Sequence, residues 1–295
     1  MMWQVWQRAL GLASGLVMLS SGLCLGQSVR LAVTDIVGLE GLQREFAAFR
    51  SALSEATGLD IQFFPVSNRT VAVEVLKSKK VEFVLTGPAE YVVFRKRTDA
   101  YPVVALSRPD YFSAIIVMAD KGLTLPADLK GKKVAFGAIG STSKHLAPMQ
   151  LLKDYGVDPR QDITPVHISE NVAWEALKRG DIAALGTTNS IFLRLRDKEN
   201  VLEPGAFRVI ARGPDLPNDV LIAGTHVDNS IVEKVRHAFE THAQELIKAI
   251  LTGEDNQKYM GMQFLTRIDD SDYTYVRAMY TTIGYPEYSE FVEAK

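Results

Sequence analysis

Val134-Ala135-Phe136-Gly137-Ala138-Ile139-Gly140-Ser141-Thr142-Ser143 is the stretch on which the fold reading turns. A short apolar strand from Val134 to Phe136 runs into a glycine-containing turn. Three consecutive hydroxyl side chains then open a helix that extends to about Tyr155. The first amides of a helix have no acceptor within it, and the helix dipole adds partial positive charge at the same end. Such a terminus takes up a tetrahedral oxyanion without a formal cation. One hydroxyl is enough for N-capping. A run of three leaves donors over, so spacing alone keeps both capping and anion binding open. Pro148, just beyond the first turn, predicts a bend.

Strands and helices alternate on both sides of this stretch. Upstream, Arg30–Thr34 reads as a strand. Gly38–Ala56 carries Leu39, Leu42, Phe46, Phe49 and Leu53 at helical spacing, and Thr57-Gly58 stops that helix. Strands at Ile61–Val66, Val81–Leu85 and Tyr101–Leu106 then alternate with helices at Asn68–Lys77 and Pro88–Arg97. Tyr111–Met118 is a longer strand suited to crossing into a second lobe. Downstream, strands at Ile163–His167 and Ile182–Leu185 alternate with helices at Asn171–Arg179 and Ser190–Arg196. Asn218–Gly224 would carry the chain back. The pattern predicts an α/β fold of two lobes with mostly parallel sheets and flanking helices. Lobe one would comprise residues 29–112 and 224–295, and lobe two residues 113–223, with a ligand cleft between them.

Composition narrows the function. The chain has 295 residues, 47% hydrophobic and 23% charged, with a formal net charge of −2. That length suits two domains, and the charge lacks the basic excess of a nucleic-acid binder. Arg8 is the only charged side chain before Arg30, and an apolar run from Ala9 to Gly26 lies between them. Residues 1–26 therefore read as a secretory signal peptide cut after Gly26, with a retained membrane anchor as the alternative. Cys24, the only cysteine, follows Ser21-Gly22-Leu23, a poor match to a lipoprotein signal, so lipid attachment there is the lesser reading. Cleavage after Gly26 would leave no thiol for a disulfide, a metal site or a nucleophile. The five histidines show no tight spacing, and no nucleophile elbow, zinc-protease motif or phosphate loop is present. No catalytic residue, metal site or cofactor is expected.

Four stretches, in order, resemble the periplasmic phosphonate- and phosphite-binding proteins of ABC importers. Leu85-Thr86-Gly87-Pro88-Ala89-Glu90-Tyr91-Val92 is similar to that family's first-lobe strand-to-helix turn. Asp128–Phe136 resembles its second-lobe opening, Ser141-Thr142-Ser143 with Pro148 its phosphate-binding segment, and Pro217-Asn218-Asp219 its turn before the return crossing. The resemblance implies a type II periplasmic binding protein fold and capture of a phosphorus oxyanion by hinge closure. A monomer would pass its ligand to a membrane permease and its ATPase. It further implies that Ser141, Thr142 and Ser143 hold the phosphorus oxygens and that Tyr91 donates from the facing wall. Asp219 would accept from a protonated oxygen or a ligand amine.

One position departs from the family. Ser169-Glu170-Asn171 stands where the family places a histidine and an aspartate, so Glu170 and Asn171 are the expected ligand contacts there. A bare carboxylate at Glu170 would repel a dianion or select a donor on the ligand. His167 and His145 are close enough in sequence to compensate. Asp35, after the first strand, is expected to face the cleft, while Arg69 is read as closing a surface ion pair. Thr187-Thr188-Asn189-Ser190 caps a helix and could line the cleft. Two other readings stay open: a binder of another organic anion such as a sulfonate, and a periplasmic enzyme on the same fold.

Overall fold

A computed structural model of the chain describes residues 27–203 and 205–290; the expected signal peptide and Cys24 lie outside the described residues. The first half begins with β1 (Ser28–Val33), α1 (Gly38–Thr57), β2 (Asp60–Phe63), α2 (Arg69–Lys77), β3 (Phe83–Thr86), α3 (Pro88–Thr98) and β4 (Tyr101–Leu106). The second lobe follows as β5 (Phe112–Met118), β6 (Lys133–Phe136), α4 (Ala147–Asp154), β7 (Thr164–His167), α5 (Glu170–Arg179), β8 (Ala184–Thr188), α6 (Asn189–Asp197) and β9 (Phe207–Asp215). The chain then returns through β10 (Asp219–Ala223), α7 (Asn229–Thr241), α8 (Ala243–Ile250), β11 (Phe264–Leu265) and α9 (Thr274–Thr282).

These strands form two sheets. The first has the order β11-β4-β10-β3-β1-β2 and the second β7-β6-β8-β5-β9. Each has a parallel block at one edge, β3-β1-β2 in one and β7-β6-β8 in the other, so both sheets are mixed. Antiparallel strands sit where the chain changes lobes. β10 pairs antiparallel with β3 and β4, and β5 with β8 and β9.

That pairing moves the expected lobe boundary. Asp219–Ala223 is not part of the crossing or of lobe two, because it lies in the middle of the first sheet, between β3 and β4. The two crossings are the short segments 107–111 and 216–218. They run side by side, with the Leu216 amide donating to the Tyr111 carbonyl at 2.7 Å and the Arg108 amide to Asn218 Oδ1 at 3.3 Å.

Each lobe buries apolar side chains on both faces of its sheet. On α1, Leu42, Phe46, Phe49 and Leu53 pack against β1 and β2 and against Phe239 of α7, while Leu39 is exposed at the first turn. Gly58 adopts φ 65° and its amide bonds Ser54 O at 2.8 Å, so the helix ends where a left-handed residue is needed. The opposite face of the first sheet carries α2, α3 and α9. Its apolar cluster includes Leu146 and Ala147 from lobe two. Helix α9 bridges the lobes: Tyr280 Oη donates to Ala89 O at 2.8 Å, while Tyr275 Oη donates to Asp154 Oδ2 at 2.9 Å and Thr282 Oγ1 to Gln150 Oε1 at 2.6 Å on α4.

In lobe two, α4 lies on one face of the sheet with almost no clearance at Gly186 of β8. A Cβ there would stand 2.6 Å from Pro148 Cβ and 3.0 Å from the Phe136 ring. Gly186→Ala is expected to destabilise the protein by about 1–3 kcal/mol through overpacking, because the helix carrying the hydroxyl run must move. Urea denaturation checks this; an unchanged midpoint would mean that α4 gives way freely.

Candidate functional site

The strands of a parallel sheet point their carboxyl ends the same way, so the helices that follow them begin on one edge. In lobe two that edge presents Ser141 after β6, Glu170 after β7 and Thr188 after β8. In lobe one it presents Asp35 after β1 and Gly87 after β3. The two edges face each other across a cleft of about 650 Å³ lined by residues from both lobes and the 107–111 crossing, among them Asp35, Arg69, Arg108, Ser141–Ser143, Glu170, Thr188 and Asp219.

Ser141-Thr142-Ser143 does not open a regular α-helix. Residues Thr142–Leu146 form one wide π turn before α4, in which Ser141 O accepts from both the His145 amide (3.1 Å) and the Leu146 amide (3.0 Å). Pro148 supplies the cause. It has no N–H to give the Lys144 carbonyl one turn earlier, and that carbonyl accepts instead from the Gly137 amide at 2.8 Å. The expected bend is thus a widened turn. All three hydroxyl residues are buried and line the cleft, and the amides that open the turn have no acceptor within it.

The hydroxyls are also tied to their surroundings. Thr142 Oγ1 accepts from the Ala89 amide at 2.9 Å, capping α3 from the other lobe, and its own hydrogen remains available to donate. Ser113 Oγ donates to Ser143 O at 2.7 Å, which fixes the turn to β5. His145 and His167, for which compensation at Glu170 and a plain loop role were both open, brace the preceding loop. His145 Nδ1 accepts from the Gly140 amide at 3.0 Å, and His167 Nδ1 lies 2.9 Å from Gly137 O. Burial, with a smaller push from His167, lowers the His145 pKa to about 4, so the ring is a neutral acceptor at neutral pH.

Charge is compensated pair by pair. Asp35 receives Arg69 at 2.8 Å and Lys258 at 2.9 Å; although burial works the other way, these two cations hold its carboxyl well below the usual range. Arg69 also pairs with Glu90, so it is a cleft residue and not the surface side chain expected. Glu170 is not bare: Lys144 and Arg194 reach its two oxygens at 2.9 and 3.0 Å, which removes the repulsion expected of an unpaired carboxylate. Asp219 accepts from Tyr259 Oη at 2.5 Å and lies 3.5 Å from Arg108 Nη1. Burial first, then the Asp219 charge, raises the Tyr259 pKa, which keeps that hydroxyl a donor. Glu45, buried on α1, accepts from the Asp255 amide at 2.9 Å and so anchors the turn that carries Lys258 and Tyr259.

Two residues expected at the site lie elsewhere. Tyr91 is turned into the first lobe, its ring packed on Tyr273 (centroids 4.2 Å apart) and its hydroxyl donating to Asp270 at 3.0 Å. Three residues into α3 from Pro88, its position faces α9, whose apolar side chains bury it, and not the cleft. Asn171 is exposed at the start of α5 and lines no part of the cleft. Arg108, Tyr111, Lys144, Arg194 and Lys258 line the cleft without having been singled out. Arg108 has one local signal, its place three residues before Tyr111 at the entry to the crossing strand. Arg194 and Lys258 sit within ordinary charged stretches, and nothing local marks Tyr111 or Lys144. Among the described residues no cluster of histidine, cysteine and carboxylate groups could hold a metal ion, and no helix is long and apolar enough to cross a membrane.

Two mixed-sheet lobes joined by paired crossings, with strand ends facing a cleft, define the type II periplasmic binding protein fold. The chain belongs to the ABC transporter, phosphonate, periplasmic substrate-binding protein family, whose model matches residues 39–273. Solved structures share the fold. The Xanthomonas citri protein XAC2383 bound to ATP is 14% identical, with a TM-score of 0.71 over 88% of this chain and 97% of that one. PhnD1 from Prochlorococcus marinus in complex with methylphosphonate is also 14% identical, with a TM-score of 0.66 over 88% and 99%. The Escherichia coli aliphatic sulphonate binding protein SsuA is 15% identical, with a TM-score of 0.56 over 87% and 91%.

The His145 environment sets a pH dependence. The unfolded imidazole takes a proton near pH 6.5, whereas the folded one resists until about pH 4. Between these values the unfolded state binds more protons, so stability falls as pH falls, by an amount on the order of 3 kcal/mol across the window. His145→Asn, which keeps an acceptor for the Gly140 amide but cannot titrate, is expected to flatten the slope from pH 6.5 to 4. Chemical denaturation at several pH values measures it. An identical slope in the variant would remove His145 as its source.

Proposed function

We propose that this protein is the substrate-binding component of an ABC importer and captures a phosphorus oxyanion in the cleft between its lobes. The observation that carries the reading is the set of three buried hydroxyls at Ser141, Thr142 and Ser143, on a turn whose first amides have no internal acceptor. Phosphonate, phosphite and phosphate monoesters share the oxygens that such donors would hold. Ligand binding is non-enzymatic in this reading: the 107–111 and 216–218 crossings flex, the lobes shut, and exclusion of water strengthens each hydrogen bond to the anion. A monomer exported by its N-terminal signal would present the closed form to a permease and its ATPase.

The cleft volume favours an organic substituent over a bare oxyanion, since about 650 Å³ is the size of sites that take drug-sized molecules. Ser190 and Arg194 on α6 and Lys198 at its C-cap follow one another at four-residue intervals on its wall, and Glu254 and Asp255 contribute from lobe one. A polar, charged substituent would lie between them.

Isothermal calorimetry with methylphosphonate, phosphite, a phosphate monoester and methanesulfonate tests the assignment, alongside mass spectrometry of any molecule that co-purifies. The phosphorus anions are expected to bind more tightly than the sulfonate. Ser141→Ala with Ser143→Ala should cost about 2–4 kcal/mol of that affinity, since hydrogen bonds to a charged oxygen are the strong ones. Equal affinity in the double variant, with the fold intact, would defeat the assignment of this turn as the anion site.

A further inference from the structure

One formal cation sits deep in the cleft with donor capacity left over. Arg108 stands at the entry to the first crossing, its side chain only 9% exposed, with the guanidinium stacked over the Tyr111 ring at 3.5 Å. Among the described residues its one ion pair is the long one, 3.5 Å from Nη1 to Asp219 Oδ2, on an oxygen that already accepts from Tyr259. Among the described residues its Nε is buried with no hydrogen-bond partner, as are those of Arg50 and Arg95, and of these three Arg108 is the one that lines the cleft. An arginine carries five N–H donors and cannot discard its charge, so a buried donor left unmet calls for an acceptor that arrives later.

The surroundings say where that acceptor would be. Tyr111, beneath the guanidinium, has its hydroxyl beside Ser143, and Ser113 holds the Ser143 carbonyl. Ser113 pairs across the sheet with Thr188, whose Oγ1 is likewise buried and without a partner on the cleft wall. Arg108, the hydroxyl run and Thr188 thus form one continuous patch around a single space. Of the acids near Arg108, Asp35 is paired with Arg69 and Lys258, and Asp219 spreads its acceptor between the Tyr259 hydroxyl and the long contact to Arg108, so the guanidinium is only partly engaged.

Resting on the phosphorus-anion reading above, we propose that Arg108 donates directly to the bound oxyanion through Nε–H and makes the site select doubly charged phosphorus oxyanions over singly charged analogues of the same shape. The cation that the expected histidine position lacks is supplied from the crossing between the lobes. A dianion gains twice the Coulomb attraction of a monoanion at the same distance. A tetrahedral head that keeps two negative charges, as in a phosphonate or phosphate monoester, therefore fits, and a sulfonate or phosphodiester fits less well.

The test is calorimetry on the full mature chain at mildly alkaline pH with methylphosphonate, inorganic phosphate and the monoanion methanesulfonate. It compares wild type, Arg108→Gln and Arg108→Lys, with circular dichroism to verify folding. Wild type should prefer the dianions. Arg108→Gln should lower dianion affinity roughly 10- to 100-fold while changing methanesulfonate affinity much less, so the preference collapses. Arg108→Lys, which keeps the charge but not the planar donor set, should restore part of it. A folded Gln variant that retains the dianion preference overturns the role of Arg108 and leaves the phosphorus-anion reading standing. If Arg108→Gln does not fold, a Lys variant with a reduced but retained dianion preference supports the proposal, one with an undiminished preference overturns donation through Nε–H, and one that binds dianions and monoanion alike overturns the charge role. A wild-type protein that binds the sulfonate as well as the dianions, or binds no dianion, overturns both.

Discussion

Pro148 has no amide hydrogen to offer the carbonyl of Lys144, and the cleft is organised around how the chain accommodates that lack. The carbonyl turns to the Gly137 amide, and Ser141 O takes two amides in place of one. Ser141, Thr142 and Ser143, at the start of the resulting wide turn, all line the cleft wall. Every support nearby serves that turn. His145 and His167 hold the glycine loop ahead of it, Ser113 holds its Ser143 carbonyl, and Gly186 lets Pro148 press against β8.

The same turn ties the lobes together. Thr142 accepts the Ala89 amide from α3, and Leu146 and Ala147 sink into an apolar cluster built mainly by lobe one. Helix α9 is hydrogen-bonded to α3 on one side and to α4 on the other. The anion-facing segment is therefore part of the hinge-side core and not a mobile rim. A ligand that pulls on the Thr142 hydroxyl acts on a group already engaged with the opposite lobe.

Electrostatic balance explains how so many charged groups share one cleft. Asp35 with Arg69 and Lys258, and Glu170 with Lys144 and Arg194, form compensated sets, while Asp219 faces Arg108 at 3.5 Å and also accepts the neutral Tyr259 hydroxyl. Compensated sets of this kind limit the cost of desolvation when the lobes come together. Among the described residues lining the cleft, Arg108 Nε, Thr188 Oγ1 and the opening amides of the wide turn keep donor capacity. Surplus donors mark a space meant for acceptors.

The sequence by itself determined the alternation of strands and helices, the two-lobe plan and the hydroxyl run, because hydrophobic spacing, glycine caps and a proline act over a few residues. Gly58 ends α1 and Asn68 caps α2, its Oδ1 accepting from the Val71 amide at 2.9 Å, for such local reasons. Tertiary structure alone decided which side chains meet across the cleft. Tyr91 reads locally as a residue near the first-lobe tip, yet α9, some 180 residues on, covers it and directs its hydroxyl to Asp270. Glu170 reads as a lone carboxylate until folding brings Lys144 and Arg194 to it from two other elements. Arg108 looks like an ordinary surface arginine until β10 inserts beside β4 and sets Asp219 opposite it. These pairings join residues far apart in the chain, and their energies depend on distance and dielectric in the folded state, which no local spacing encodes.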